Sequence, residues 1–416
     1  MRVPTLPTAA SGLRLTHARI ITGTDEQPVP DGEVVIRGGE LVHVGAFRAD
    51  PPAADDGLPE YDLRGLTLLP GFIDCHVHFR AAGTPPAAAL AMFPSHRDML
   101  TAGLLRRTLD AGVTTARDLG GTDPGFRDAM AAGLVLGPRL SLAIELVGPT
   151  GGHSDRTLPN GAPVPGRAPL VDTVADTDDE VRTVVRQLLS LGADVIKVCA
   201  SGGISSPASR PEDPGLSERQ IRIAVEEAAR AGRPVAAHAQ GTEGIRAAVR
   251  GGVTSVEHGY GLDADTLELM LERGTFLVPT LSTALAEPDP RTTPRYRYDK
   301  KMRWLETARR NLTRAVASGV RIAMGTDAGA CPHGRNLAEL GHLVDLGMTP
   351  LEAVRAGTRT AAALLGLGDR LGTLEVGRHA DLVATDVDVL RNVTPLAEPE
   401  AVKLVVQGGR VVKDIR

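Results

Sequence analysis

The sequence is poor in cysteine and in aromatic residues, and each shortage excludes a class of protein. Three cysteines in 416 residues are too few and too scattered for a framework of disulfide bonds. We expect these thiols to be ordinary small groups of the core. Aromatic side chains make up 3% of the chain, so a stacking platform for large aromatic ligands is not indicated.

An excess of basic charge and a long apolar run are also missing. The net charge of -5 argues against a nucleic-acid partner, which usually meets a basic surface. No apolar run reaches the roughly 18 residues that a membrane-spanning helix requires, and residues 1–12 lack the apolar core of a signal peptide. We therefore expect a cytoplasmic protein that binds neither nucleic acid nor membrane.

Strand-like sequence occupies both ends of the chain. Residues 13–22, 32–37, 41–45 and 61–69 form short β-branched runs that turn-forming residues separate, and Gly38-Gly39 is a hairpin signal. The same texture returns at residues 380–385 and 401–412. Neither half could cover its apolar face alone. The pattern predicts one small β-sandwich domain, built from residues 1–69 and 376–416.

Between these ends, apolar strands alternate with amphipathic helices. Eight short apolar runs, the third of which covers residues 139–146, are separated mostly by helical stretches such as residues 178–191 and 217–231. Ser217 before the second stretch and Gly232 after it are typical helix start and stop signals. This α/β order predicts a (β/α)8 TIM barrel over residues 70–375. A doubly wound open sheet is the alternative.

The first barrel strand ends in a pair of histidines, within the run LLPGFIDCHVHF of residues 68–79. Side chains two positions apart on a strand point to the same face, so the imidazoles of His76 and His78 can reach one metal ion. Asp74 shares that face. By itself such a pair could equally be structural.

Four later strands place a polar residue at the corresponding height: Lys197, His238, His258 and Asp327. Chemistry in such barrels lies at the carboxyl ends of the strands. Each residue has an ordinary explanation, because a strand-end histidine can be satisfied in the core, an aspartate can cap a loop, and a buried lysine can pair with a carboxylate. The coincidence of all of them with the histidine pair favours a metal site.

These motifs together resemble those of the amidohydrolase superfamily. The resemblance rests on PGFIDCHVH, the lysine of IKVCASGG, AHAQGTEGIRAAVRGGVTSVEHG and GTDAG, and it covers essentially the whole chain. More narrowly, the chain is similar to the branch that holds Xaa-Pro dipeptidases, carboxypeptidase-like N-acyl-amino-acid hydrolases and imidazolonepropionase relatives.

The resemblance implies a binuclear metal centre. Its two divalent ions, with zinc expected and manganese or cobalt as possible substitutes, would be bound by His76, His78, Lys197, His238, His258 and Asp327. Lys197 would bridge both ions as a carbamate formed with carbon dioxide, which turns a cation into an oxygen ligand. Asp327 would also be the catalytic residue, taking a proton from the attacking water and passing it to the leaving nitrogen.

The resemblance also implies where the substrate binds. His153 and Tyr260 stand where relatives hold a substrate α-carboxylate, and His333 follows Asp327 closely enough to reach the same pocket. Hydrogen bonding within loops explains these residues equally well. Residues 295–298 (RYRY) would suit a carboxylate-bearing ligand, although a solvated charged face is the commoner explanation.

The expected function is hydrolysis of the C-terminal amide of a dipeptide or N-acyl amino acid, a small molecule with a free carboxylate. We expect the enzyme to be a homo-oligomer. One alternative is a hydrolase of cyclic amides or other small C–N bonds, as in imidazolonepropionase. Another is a non-catalytic binding protein on an inherited barrel.

Overall fold

The computed structural model describes residues 12–24, 27–55, 57–80, 92–157 and 170–416. Its strands, in chain order, are β1 (Gly12–Ile20), β2 (Val29–Arg37), β3 (Glu40–Ala46), β4 (Glu60–Asp62), β5 (Thr67–Pro70), β6 (Phe72–Val77), β7 (Val113–Asp118), β8 (Arg139–Leu142), β9 (Leu146–Val147), β10 (Ile196–Cys199), β11 (Val235–Ala239), β12 (Ser255–His258), β13 (Phe276–Val278), β14 (Leu382–Thr385), β15 (Val402–Gln407) and β16 (Arg410–Asp414).

Helices separate most of the central strands. Three of the described helices begin with capping boxes, in which Thr177, Ser217 and Thr349 each accept a hydrogen bond from the backbone three residues on. None of the described helices has the length and apolar character needed to cross a bilayer. The helices are α1 (Pro94–Asp110), α2 (Gly125–Ala131), α3 (Asp178–Ser190), α4 (Glu218–Arg230), α5 (Thr242–Gly251), α6 (Ala264–Arg273), α7 (Leu281–Ala284), α8 (Arg295–Ser318), α9 (Ala338–Asp345), α10 (Pro350–Ala356) and α11 (Arg359–Leu364).

One sheet joins strands from both ends of the chain. Its order is β16-β15-β14-β5-β1-β2-β3, and β4 pairs with β1. The two ends meet where β14 runs antiparallel to β5, with Leu382 opposite Pro70 and Thr385 opposite Thr67. Leu15, Ile36 and Leu404 belong to the buried apolar cluster of this sheet. The boundaries at residues 69 and 376 stay predictions, and residues 1–11 of the proposed domain lie outside the described residues.

The central strands pair in parallel. They form a five-stranded sheet β13-β12-β11-β10-β9 and a three-stranded sheet β6-β7-β8. The run at residues 139–146, predicted as one strand, is divided because Ile144 has a φ of 68°. Consequently β8 pairs with β7 while β9 pairs with β10. Parallel strands alternating with helices confirm the α/β class.

The register of the parallel strands brings their carboxyl ends to one side. Cys199 lies opposite His238, and Ala239 lies opposite His258. All residues of β6, β10, β11 and β12 are buried. A polar side chain at the end of such a strand therefore faces the interior of the protein.

Candidate metal centre

Three side chains of the types that bind metal lie close together. Two of them are at the end of β6, and the third directly follows residues 321–326. Ligand atoms of His76, His78 and Asp327 lie within 4.8 Å of one another. The carboxylate Oδ1 of Asp327 is 3.4 Å from Nε2 of His78 and 3.7 Å from Nε2 of His76. Two ligands about 2.0–2.2 Å from a tetrahedral zinc ion stand roughly 3.3 Å apart. The spacing therefore fits three ligands of one ion better than direct hydrogen bonds.

A hydrogen bond at Nδ1 fixes the orientation of each ring of the pair His76 and His78. Nδ1 of His76 lies 2.8 Å from Oε2 of Glu257, and Nδ1 of His78 lies 2.9 Å from the carbonyl oxygen of Gly120. Because both partners are acceptors, each Nδ1 carries the proton and donates it. Each Nε2 then presents its lone pair towards Asp327, which is the arrangement that metal-binding histidines adopt.

His238 and His258 complete the group of imidazoles. Their ring centroids are 4.6 Å apart, and the His258 ring is 5.1 Å from that of His76. The Thr280 hydroxyl donates to the carbonyl oxygen of Pro279, so it accepts from Nδ1 of His258 at 2.8 Å. Nε2 of His238 donates to the carbonyl oxygen of Gly202 at 3.1 Å. Each ring keeps one nitrogen available for a ligand.

Lys197 lies buried without a partner. Its side chain is 1% exposed, and Nζ makes no hydrogen bond to any residue that the structure describes. Burial lowers the pKa of this ammonium to about 8. A buried charge without a partner is costly, so the site requires a group or a modification that compensates it.

Burial also sets the protonation of the other site residues. It lowers the pKa values of His76, His238 and His258 well below their usual range. These rings are therefore neutral near pH 7, the form that binds metal. Burial raises the pKa of Asp327, and the nearby charges of His78 and Lys197 act in the opposite direction.

A second layer of buried polar residues supports the ligands. Asp74 accepts hydrogen bonds from the Thr326 hydroxyl at 2.7 Å, the Asn336 amide at 2.8 Å and the His76 backbone amide at 3.1 Å. Burial raises the pKa of this carboxyl to about 6. Asp74 thereby ties β6 to the residues on either side of Asp327.

Two members of this layer carried no assigned role in the sequence analysis. Glu257 accepts from Arg117 at 2.9 Å and from the Ser255 hydroxyl at 2.5 Å, besides its contact with His76. Both charged residues stand inside strands that are buried along their whole length. The same signal that singled out Lys197 could have found them.

The cavity that opens beside Asp327 measures about 270 Å³. That size is slightly below the usual range for ligand pockets and suits a small substrate. A groove of about 910 Å³ lies elsewhere, between Met130 and the strands of Tyr61 and Val411, and contains none of the predicted site residues. We therefore place the substrate in the smaller cavity, whose polar lining includes Gln240, Tyr260, Ser282, Thr283, Glu287, Thr293, Arg297, Lys301 and Asp327.

The three predicted substrate residues lie in different surroundings. Tyr260 lines the cavity. The His153 ring stacks on His238 with centroids 3.9 Å apart, and its buried Nδ1 has no described partner. His333 does not line the cavity. The His333 ring stacks on Phe79, and its Nδ1 lies 3.1 Å from the Thr108 hydroxyl. Its Nε2 lies 3.4 Å from the backbone carbonyl oxygen of His78. All three roles stay predictions.

The chain matches one protein-family model and is similar in sequence to several known proteins. Residues 67–412 match the model of the amidohydrolase family. The ochratoxinase of Aspergillus niger is 32% identical over 419 residues, which cover 96% of this chain and 86% of that protein. The imidazolonepropionase of Rhizorhabdus wittichii is 29% identical, over 86% of this chain and 89% of that protein.

Solved structures of similar proteins cover nearly the whole chain. A Xaa-Pro dipeptidase with bound methionine in the active site superposes with a TM-score of 0.89 at 31% identity. The match covers 97% of this chain and 100% of that one. The ochratoxinase of A. niger superposes with a TM-score of 0.84 at 30% identity, covering 98% of this chain and 96% of that one.

Proposed function

The chain belongs to the amidohydrolase family, and from this premise we propose that it is a binuclear metal-dependent amidohydrolase. Its proposed reaction is hydrolysis of the C-terminal amide of a dipeptide or N-acyl amino acid. The observation that carries the proposal is the unpartnered Nζ of Lys197, buried beside a group of neutral imidazoles and one carboxylate. An ammonium has no reason to be held there unless the site converts it or neutralises it.

We assign the described side chains to two ions. One ion would be held by His76, His78 and Asp327, the other by His238 and His258, and Lys197 would contact both as a carbamate. The neutral amine attacks carbon dioxide, a C–N bond forms, and one proton leaves to water. The resulting anion offsets two divalent charges. Imidazole and carboxylate donors suit zinc.

The proposed mechanism assigns the proton transfers to one residue. Divalent ions held by these residues would supply a water that ionises near neutral pH and would polarise the amide carbonyl. Asp327 accepts the proton of the attacking water and then donates it to the leaving nitrogen. A carboxyl group can act first as the base and then as the acid in this way.

The finer architecture belongs to the same proposal. We propose that the central strands close into a (β/α)8 barrel beside a β-domain built from both ends of the chain. Single parallel bridges support closure, because they join Ile322 to Leu277 of β13 and Ala328 to Val77 of β6. A closed barrel would bring the ligands on β6 and those on β10 to β12 to a single opening.

The substrate class is proposed from the cavity and the relatives. A cavity of about 270 Å³ suits a compact ligand. One similar structure is a Xaa-Pro dipeptidase, which makes proline a plausible leaving residue. The imidazolonepropionase relatives favour a second candidate, a cyclic-amide hydrolase. A requirement for a free α-carboxylate distinguishes the two, since a cyclic amide need not carry one.

The test combines metal content with turnover. Protein purified with bicarbonate and zinc should contain two ions per chain and release a C-terminal amino acid from members of a dipeptide and N-acyl-amino-acid library, read by ninhydrin. We expect Asp327→Asn to keep the fold and to lower kcat by about a hundredfold to ten-thousandfold. A metal-replete Asn variant with the kcat of the unmodified enzyme would contradict the role of Asp327.

The remaining outcomes separate the candidates. Two ions per chain with turnover of cyclic amides alone would favour the second candidate. Protein that binds no metal would overturn both and return the chain to the binding-protein alternative.

A further inference from the structure

The cavity beside Asp327 contains a guanidinium that makes no hydrogen bond or ion pair with the described residues. Arg297 lines the cavity, and its side chain makes no hydrogen bond or ion pair with any described residue. The neighbouring Arg295 differs, because it forms an ion pair of 2.9 Å with Asp299. Glu287 lines the same cavity but forms no ion pair with Arg297. Its charge acts on the Asp327 carboxylate without a direct ion pair. This partly buried guanidinium is therefore free to pair directly with an anion from outside.

Helix α8 holds Arg297 in place through its other contacts. Tyr296 donates to the carbonyl oxygen of Ser205 at 3.3 Å, and Lys300 donates to that of Ser206 at 2.6 Å. Both acceptors belong to residues 201–215, the loop that follows the strand of Lys197. Further along the helix, Arg303 forms an ion pair of 2.9 Å with Glu212 of this loop.

A second face of the same helix points into the cavity. Arg297 and Lys301 are four residues apart, so they lie above one another on one side of α8. The ammonium of Lys301 donates to the carbonyl oxygens of Thr283 and Ala284. The Lys301 ammonium thus already donates hydrogen bonds to the protein backbone. Arg297 is the cation of this cavity whose donors remain free among the residues that the structure describes.

The position of Arg297 relative to Asp327 fixes what it can contact. Both residues line a cavity of about 270 Å³. A small substrate with its amide at Asp327 would therefore present another part of itself to the guanidinium. The planar fork of arginine matches a carboxylate through two parallel hydrogen bonds. In a dipeptide or N-acyl amino acid, the free carboxylate is one short residue away from the scissile bond.

We propose that Arg297 is a specificity-determining residue that binds the free carboxylate of the leaving amino acid. This inference rests on the proposed function. It restricts the enzyme to the last residue of a substrate, because an internal peptide bond offers no carboxylate at that distance. Tyr260 and His153 lie deeper, against His258 and His238, so Arg297 adds a contact on the helical side of the cavity.

Binding of products tests the proposal apart from turnover. We would titrate the zinc-loaded protein with the common L-amino acids and with their carboxamides, using calorimetry. At least one amino acid should bind more tightly than its amide. Arg297→Gln should weaken binding of that amino acid by about tenfold to a hundredfold and leave its amide unaffected. Arg297→Lys should recover part of the loss, because it keeps the charge without the fork.

Arg295→Gln is the matched control, since it removes an arginine two residues away that already has a partner. It should bind both ligands as the unmodified protein does. Kinetics on an active dipeptide should show a raised KM for Arg297→Gln with a smaller change in kcat. Equal weakening of acid and amide by Arg297→Gln, or no preference for the acid in the unmodified protein, overturns the inference.

The two proposals fail in different ways. Protein that binds amino acids through Arg297 but hydrolyses no C-terminal amide would refute the proposed function alone. An active dipeptidase whose discrimination between acid and amide survives Arg297→Gln would refute this inference alone.

Discussion

The buried ion pair between Glu257 and Arg117 offers the sharpest test of how the metal site is supported. Glu257 is 0% exposed and Arg117 is 2% exposed. Glu257 contacts His76 through one oxygen at 2.8 Å and Arg117 through the other at 2.9 Å. Arg117 also donates to the backbone carbonyl of Cys75 at 2.6 Å. Glu257 therefore serves as an acceptor for the ligand and as the counter-charge of the arginine.

Glu257→Gln removes the charge while keeping the size and one acceptor oxygen. It leaves the guanidinium of Arg117 buried without an anion, and breaking a buried pair in this way costs about 3–5 kcal/mol. We expect the free energy of unfolding to fall by about 3 kcal/mol, because Arg117 retains its hydrogen bonds to Cys75 and Ser255. Loss of the carboxylate behind His76 should also weaken metal binding by about tenfold to a hundredfold.

A double variant separates these two effects. Glu257→Gln with Arg117→Met removes both buried charges, so it should recover at least half of the lost stability. It should not recover metal affinity, because the acceptor behind His76 remains an uncharged amide. Urea unfolding of the metal-free proteins measures stability, and competition with a zinc chelator measures affinity. Asp299→Asn, which breaks an exposed pair with Arg295, is the control and should leave both quantities unchanged.

Two results would refute this reasoning. Metal-free Glu257→Gln as stable as the unmodified protein would mean that the guanidinium does not need its anion. A double variant no more stable than the single one would mean that the loss comes from packing rather than from an uncompensated charge.

Two further predictions concern other contacts. A Cβ on Gly203 would overlap the His153 ring, so Gly203→Ala should lower kcat at least about tenfold. Gly103→Ala, whose Cβ meets nothing within 4 Å, should not, and steady-state kinetics of both variants decide the point. Burial acts to raise the pKa of Glu33, but hydrogen bonds from two arginines lower it below the usual 4.5. The stabilisation by the Glu33 carboxylate is present above pH 4.5 and is lost as the pH falls below it. The thermal unfolding midpoint of Glu33→Gln should therefore fall less on acidification than that of the unmodified protein. Equal dependence of the two midpoints on pH would contradict this.

Local patterns in the sequence were sufficient to predict the ends of β6 and β12, whereas the predicted eighth strand, residues 321–325, is reduced to a single bridge at Ile322. A strand repeats every two residues, and parallel strands align their carboxyl ends, so His76, His78 and Asp327 could be placed together from position alone. The structure brings their ligand atoms within 4.8 Å of one another. The family and the class of C–N hydrolase, both predicted from motifs, are confirmed.

Contacts between distant segments could not be predicted in this way. The sequence shows that Glu257 is a charge within a predicted strand, but not that its partner is His76, which precedes it by 181 residues. Glu339 similarly accepts from the backbone of Leu281 and Ser282, at 2.6 and 2.7 Å, and so fixes the start of α7 beside the cavity. Periodicity gives the face on which a side chain lies, whereas its partner depends on the packing of whole elements.

The break in the third strand has a related cause. Residues 139–146 form one apolar run, and nothing in that run signals a turn. The left-handed backbone at Ile144 is disfavoured for a β-branched residue. It stands between two short strands that pair with different neighbours, β8 with β7 and β9 with β10. Local sequence does not record this pairing.

The same strained conformation recurs where the site residues leave their strands. His258, Thr280 and Asp327 have φ values of 74°, 53° and 58°. Each such residue costs roughly 1–3 kcal/mol, and it persists only where surrounding contacts determine it. The Asp327 amide donates to the His76 carbonyl at 2.7 Å, and Thr280 is bonded to His258 through its hydroxyl. The hydrogen bonds that hold the strained backbone are thus made by the proposed ligands themselves. We therefore expect stability and the geometry of the proposed metal site to be coupled at these positions, because a variant that relaxes the backbone would also release a proposed ligand.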